Sequence, residues 1–394
     1  MLPDGWSRMT VGHACSIKNN LRMPINTEQR ASMPGPYPYF GPTGILAHID
    51  HYRIDEEFAI IGEDGDHFLK FREKPMTLHF DGRANVNNHA HVIGDSEYCS
   101  PKWFYYWFMH RDLTASLSRQ GVGRYKLTKK GLSELEIWLP PKLEQKRVTD
   151  ALATWDQAIA TAERLLTNSR TYKQALVDQH LLKPAFSRQW PVQSIKEVSD
   201  RIQRQAVNEE GLPVLMISSG QGFVRQDEKY SKFMAGKSVN NYITLGKGEF
   251  AYNKGNSKLY EFGCVFQLQN IDRGLVPHVY VCFRLRDQCH PEFYRHLFAA
   301  DYLHDQLGAL VNTGVRNNGL LNIRPADFLG CEVPVPPKKE QVRLAGILQT
   351  ATSWVLQHEA VLDQLKQEKA ALMAQLLTGK RRVRLPEDDV IATP

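Results

Sequence analysis

The side chains best suited to gripping or reading a polyanion fall in two polar groups. In the first part of the chain they are Thr43, Asn87, Asn88, His91, Arg119, Arg124 and Lys126. In the second they are Ser218, Ser219, Gln221, Lys237, Asn240, Asn241, Asn253, Lys254, Asn256, Ser257, Arg316 and Asn317. They lie in glycine-rich or polar stretches between strand-like runs. Ser118-Arg119-Gln120-Gly121-Val122-Gly123-Arg124-Tyr125-Lys126 joins flexible glycine, cation and aromatic in one loop. Asn253 to Lys258 and Asn312 to Asn318 are comparable. The same composition also makes good solvated turns, so both readings stand for each loop.

Covalent and metal chemistry find less support. His89-x-His91 would place two imidazoles on one side of a strand, as a metal requires. Further ligands at set distances are missing, because Glu97 sits too far along, and structural hydrogen bonding is the stronger reading. Ala235-Gly236-Lys237-Ser238 ends like a phosphate loop, but Ser231 occupies the position of the earlier glycine. There is no G-x-S-x-G, no H-E-x-x-H and no Asp/Asn-Pro-Pro-Tyr/Phe motif for gripping a target base. No resident cofactor or metal is expected.

With 394 residues the chain exceeds one ordinary domain, so two or more are expected. Its hydrophobic fraction of 42% and charged fraction of 23% exclude a disordered or collagen-like chain. No apolar run nears the roughly 18 residues that span a bilayer. Met1-Leu2-Pro3-Asp4-Gly5-Trp6 lacks the pattern of a signal peptide. Six scattered cysteines without a C-x-x-C pair suit free thiols in a reducing cytoplasm. The net charge of +6 is a weak pointer to a polyanion. Residues 1–140 and 184–336 are each close to charge balance.

The positions that hold these loops repeat. Ile137-Trp138-Leu139-Pro140-Pro141-Lys142-Leu143-Glu144-Gln145-Lys146-Arg147 matches Val333-Pro334-Val335-Pro336-Pro337-Lys338-Lys339-Glu340-Gln341-Val342-Arg343 at an offset of 196. Trp6 precedes Val11 as Trp190 precedes Ile195. One domain-plus-helix unit therefore occurs twice. Each proline pair presets a helical first turn, and Glu144 and Glu340 favour the positive end of the helix dipole. Apolar residues follow at Val148, Leu152, Trp155, Ile159, Ala162 and Leu166, a period of 3.5. The second copy runs Leu344, Leu348, Ala351, Val355, Leu362, Leu365, Leu372 and Leu376, interrupted by His358 and Lys369. Such a repeat is a coiled-coil seam. The first helix spans from about Leu143 to Leu182, on the order of 60 Å, with Lys183-Pro184 as its stop. Thr378-Gly379 stops the second. Two such helices pair most simply with each other; packing of each on its own domain is the alternative. The segments before them read as mixed α+β, with strands such as Thr77–Phe80, Phe250–Tyr252 and His278–Phe283. Helices are expected over Trp103–His110 and Pro291–Leu307.

The twofold [I/V]-x-[L/V]-P-P-x-x-E-Q-x-R signature heading a long helix resembles the specificity subunit of type I restriction-modification systems. Tyr39-Phe40-Gly41-Pro42-Thr43-Gly44, Asn85 to Val92, Gly248-Glu249-Phe250-Ala251-Tyr252-Asn253 and Gly319 to Ile323 are smaller echoes. The resemblance spans essentially the whole chain. It implies an α+β architecture of two mixed α/β target-recognition domains joined by two long α-helices forming an antiparallel coiled coil. The expected boundaries are 1–140 for the first domain, 141–183 for the central helix and 184–335 for the second domain. Residues 336–380 form the C-terminal helix and 381–394 a basic then acidic tail. Each domain would bind one half of a bipartite, asymmetric double-stranded DNA site through the polar residues above. The helices would set the spacer and dock two methyltransferase subunits, which recruit restriction/translocase subunits. The chain itself would be non-catalytic, with S-adenosylmethionine, ATP and Mg on the partner subunits, no membrane, and a bacterial or archaeal cytoplasm. A related subunit serving a fused nuclease-methyltransferase, or a scaffold whose heads bind proteins, are the alternatives.

Overall fold

Each Pro-Pro pair leads at once into a long helix, Lys142–Val177 and Lys338–Leu376, of 36 and 39 residues. The computed structural model describes residues 2–119, 125–206, 211–229, 241–255, 257–311 and 321–383. Contacts divide the chain into two units, Met1–Glu163 with Ala360–Pro394, and Arg164–Glu359. Each long helix thus begins in one unit and ends in the other. In the first unit Lys369 Nζ lies 2.5 Å from Asp156, and Lys366 2.9 Å from Glu163. In the second, Arg170 pairs with Glu359 at 2.6 Å and Tyr172 stacks on Trp354 at 6.1 Å. In both, residue numbers on one helix fall as those on the other rise, so the pairing is antiparallel.

The 3.5-residue spacing does what it predicts. Val148, Leu152, Ala162 and Leu166 are buried on the first helix, as are Leu344, Leu348, Ala351, Val355 and Leu362 on the second. The polar interruptions have partners. The Ser169 hydroxyl and His358 Nδ1 lie 2.7 Å apart, and Lys369 reaches Asp156 while sitting 5.5 Å from the Tyr106 ring. Gly379, with φ +68, ends the second helix in the left-handed region that glycine enters freely. Among the described residues no helix is long and apolar enough to cross a membrane.

The first unit is built on a six-stranded mixed sheet. Its order is Ser16–Ile17, Ala90–Gly94, Ile54–Gly62, Thr77–Val86, Pro34–Phe40 and Ile45–Ile49. The strand Ile54–Gly62 is buried on both faces. Phe58 and Ile60 enter one cluster with Phe40, Val86 and Val92, while Ala59 and Ile61 enter a second with Trp103, Phe104 and Phe108. The alternation is the period-two geometry of a strand. Helix Pro101–Phe108 covers the second cluster, with Ser100 as its N-cap and proline in its first turn.

The second unit has a four-stranded antiparallel sheet, Ser199–Ile202, Val281–Leu285, Phe250–Asn253 and Cys264–Gln267. Two hairpin-like pairs flank it, Leu215–Ser218 with Gly222–Arg225 and Ile243–Gly246 with Arg273–Val276. Phe250, Tyr252 and Phe283 pack beneath helix Pro291–Ala299, and Ala251 and Cys282 face the other cluster. All six cysteines are buried and unpaired, Cys15 and Cys99 in the first unit and Cys264, Cys282, Cys289 and Cys331 in the second.

Three local expectations need correcting. Pro291–Leu307 is two helices, Pro291–Ala299 and His304–Leu310, because Asp301 adopts φ +54 and breaks the ladder between them. Lys183-Pro184 does not stop the chain's helical course. A π-helical turn over Asp178–Leu182 leads into Lys183–Phe186, where Pro184 sits in the first turn and needs no N–H partner, and Arg188 at φ +52 turns the chain. The strand expected from His278 begins at Val281, after a turn closed by the Tyr280 N–H and the Pro277 carbonyl.

Candidate nucleic-acid interface

Both units use the same frame to hold their loops. Strand Ser7–Thr10 pairs with Glu136–Leu139, and Val192–Ser194 pairs with Glu332–Pro334. Trp6 stands edge-on to Trp103 at 5.6 Å, as Trp190 does to Phe293 at 6.1 Å. The repeated glutamine is the joint. Gln145 is fully buried; its Oε1 accepts from Ser100 N at 3.0 Å, and its Nε2 donates to the Tyr98 and Pro140 carbonyls at 2.6 and 2.9 Å. Gln341, also fully buried, accepts from His290 N at 2.6 Å and donates to the Gln288 and Pro336 carbonyls at 3.1 and 2.8 Å. In each unit, one amide therefore fastens the proline turn to the segment that starts the head helix. The glutamine of the signature owes its distance from the first proline to this joint.

On this frame the first unit gathers several of the sequence candidates. The Gly41–Gly44 turn carries exposed Thr43, and the next turn follows it closely, because Asn87 N donates to the Phe40 carbonyl at 2.9 Å. Asn87 is itself buried, its Oδ1 accepting from His89 N, while Asn88 is exposed. Lys126 reaches Glu63 at 3.1 Å and Asp64 at 3.5 Å. On the other strand of that hairpin Arg119, opposite Tyr125, is exposed, with the guanidinium 5.8 Å from the Tyr125 ring centroid. His89 Nδ1 lies 3.0 Å from Asp64, an exposed pairing.

His91 behaves differently. It is 1% exposed, its Nε2 donates to the Leu127 carbonyl at 2.7 Å, and Nδ1 accepts from Asn19 at 2.9 Å. Burial holds its pKa below the usual histidine range. Both ring nitrogens are committed to the fold, so His91 offers no edge to a ligand and leaves the interface. Among the described residues no cluster of metal-binding side chains is found.

In the second unit Ser218, Ser219 and Gln221 form the tip of a hairpin, where Gln221 N donates to the Ser218 carbonyl. Asn253 Oδ1 accepts from Gly255 N at 3.0 Å, and Ser257 closes a turn with Tyr260. The two groups adjoin: a methyl at Gly220 would meet Leu259 at 3.9 Å. The Lys254 carbonyl accepts from Leu321 N. Asn241 is exposed and sits elsewhere, just before strand Ile243–Gly246. Arg124, Lys237, Asn240, Asn256, Arg316 and Asn317 lie outside the described residues.

Sequence reasoning missed the carboxylates that organise these surfaces. Glu63, with a side chain 14% exposed, holds Arg22 at 2.6 Å as well as Lys126, and Arg22 also donates to the Asn88 carbonyl at 3.1 Å. Glu249, with a side chain only 3% exposed, holds Arg204 and Arg284. The one local hint was Gly248-Glu249-Phe250, an acid at the mouth of an apolar strand.

Residues 3–168 match the model of the type I restriction modification DNA specificity domain. The match covers the first unit's strands and the start of its long helix. A Haemophilus influenzae chain named for a type I restriction enzyme specificity subunit is 31% identical over 140 residues, which cover 35% of this chain and 34% of that one. The type I restriction enzyme MjaVIII specificity subunit of Methanocaldococcus jannaschii is 23% identical over 292 residues, 67% of this chain and 66% of that one. The chain thus spans about a third of the length of one relative and about two thirds of the other. The crystal structure of a type I restriction-modification system S subunit from M. genitalium superposes with a TM-score of 0.63 over 98% of this chain and 99% of that one, at 14% identity. The likeness is one of fold, and it extends past residues 3–168 to both units. The Gln145 joint and Glu63 lie within residues 3–168; the Gln341 joint, which repeats the first, and Glu249 lie outside them.

Proposed function

We propose that the chain is the DNA sequence-recognition subunit of a type I restriction-modification complex, each unit reading one half of a bipartite, asymmetric duplex site. The observation that carries this reading is the twice-built frame. Two identical glutamine joints hold two surfaces that differ in sheet order, loops and side chains, as expected where one architecture reads two unlike sequences. Cations and hydroxyls would fix register on phosphates, while Asn, Gln and Arg at the loops read base edges. Half-sites on one face of a duplex recur about every 34 Å, a periodicity that a stiff helical spacer suits. In this reading the paired helices set the spacer and dock two methyltransferase subunits, and restriction/translocase subunits join through them. The chain contributes recognition and no catalytic group; S-adenosylmethionine, ATP and Mg belong to the partners. The reading places it in the cytoplasm of a bacterium or archaeon.

Mapping methylated adenines in the host genome tests this. The expected motif is interrupted, with a constant number of unspecified positions between two defined parts, and a continuous palindrome would refute the assignment. Exchanging residues 1–140 for another such domain should change one part of the motif only.

A further inference from the structure

We propose that Glu249 is a positioning residue for DNA: buried at the head of strand Phe250–Asn253, it holds Arg204 and Arg284 as a fixed pair of guanidiniums that grips backbone phosphates beside the second half-site. The proposal rests on the DNA-recognition reading above and names side chains that reading does not require.

The geometry is that of two exposed forks held by one anchor inside the unit. Glu249 Oε2 accepts from Gly246 N at 2.7 Å and from Arg204, and Oε1 accepts from Arg284 Nε at 3.0 Å and its terminal nitrogen at 2.5 Å. A carboxylate withdrawn from water is costly unless its lone pairs are filled, and here both oxygens are. The arginines stay at the surface, their side chains 49% and 63% exposed. One negative charge answers two positive ones, so the cluster presents net positive charge to solvent. Among the described residues no acceptor is found for the remaining nitrogen of Arg284 or for Nε and the second terminal nitrogen of Arg204. Those donors point to a ligand with several anionic oxygens. Because the anchor fixes both forks on folding, the rotamer freedom of two long side chains is not lost again on binding.

Placement agrees with a role at the interface. Thr244 N donates to the Arg204 carbonyl at 2.8 Å and Ala206 N to the Tyr242 carbonyl at 2.9 Å, so the grip stands beside exposed Asn241. The first unit reaches the same device with other residues: Glu63 holds Arg22 and Lys126 next to exposed Asn88. Fold stability alone gives the triad little reason, since ion pairs whose cations stay half-exposed contribute very little each.

Titration of the full chain with a mixed-sequence DNA duplex at several salt concentrations tests the proposal. R204A and R284A should each weaken binding roughly five- to tenfold for any duplex and lower the salt slope by about one. E249Q is the decisive variant. It makes the protein more positive, so simple charge attraction predicts tighter binding, whereas loss of positioning predicts weaker binding. Should E249Q lower the thermal midpoint, the double variant R204K/R284K keeps charge and anchor but loses the planar forks, and should still bind more weakly with an unchanged salt slope. Tighter binding by E249Q, wild-type affinity in both alanine variants, or wild-type affinity in the lysine pair overturns the proposal. Those results leave DNA recognition standing if the wild type binds the duplex. A wild-type chain that binds no duplex overturns the recognition reading and this proposal with it.

Discussion

Replacing Gln145 by leucine should cost about 3–5 kcal/mol, because three backbone groups lose their amide partner at once. The side chain is fully buried and leucine fills a similar volume, so the loss is one of hydrogen bonding and not of a cavity. Ser100 N and the carbonyls of Tyr98 and Pro140 are the groups stranded. An unsatisfied buried group costs roughly 1–3 kcal/mol, which bounds three of them at about 3–9 kcal/mol. The lower half of that range applies, because Tyr98 is 38% exposed and is not a buried residue. Against a typical stability of about 5–15 kcal/mol the effect is large. Urea unfolding followed by tryptophan emission reads it through Trp103, which is buried on the helix that Ser100 caps and donates to the Trp138 carbonyl. Amide exchange at Ser100 reads it locally. Gln341→Leu is the internal control, stranding His290 N and the Gln288 and Pro336 carbonyls, and should cost the same within about 1 kcal/mol. A loss below about 1 kcal/mol in either variant, with exchange unchanged at Ser100 or His290, would refute the idea that these amides are the joints.

Burial and the neighbouring Arg295 and Lys173 push the His296 pKa down to about 3. The unfolded chain protonates this residue near 6.5, so its contribution is intact above that pH and is lost as pH falls toward 3, by at most about 1.4 kcal/mol per unit. His296→Phe should flatten a urea-midpoint series over that window, and an unchanged slope would contradict the assignment. Gly263→Ala should destabilise by more than about 2 kcal/mol, since φ is +88 and a Cβ would lie 2.5 Å from the Asn253 carbonyl oxygen. Gly346→Ala should do the reverse, because that helical position has open space around it and alanine is favoured there by roughly 1 kcal/mol. Thermal midpoints of the two variants should move in opposite directions.

What the sequence makes legible follows from how local each signal is. The long helices announce themselves through a proline pair, an early glutamate and an apolar period, all within one stretch of chain. The antiparallel partnership follows because neither seam tolerates water. The break at Asp301 is illegible, since nothing in its composition separates an aspartate in the left-handed region from one inside a helix. Pro184 misleads because proline at the first turn of a helical segment and proline after the last look alike. At the interface, loops such as Gly41–Gly44 and Asn253–Gly255 are visible as turns. The ion pairs that shape their surroundings are not: Arg22 and Glu63 are 41 residues apart, and Arg204 and Glu249 are 45 apart. His91 shows the same limit from the other side, because its type suggests a ligand while its strand, Ala90–Gly94, is buried at every position.

The sealed thiols give each half of the molecule its own clock. A cysteine reagent meets Cys15 and Cys99 only when one globule breathes, and Cys264, Cys282, Cys289 and Cys331 only when the other does. Labelling rates resolved by peptide would report two opening frequencies from a single sample. A ligand that steadies one globule alone would slow one set of thiols and leave the other ticking.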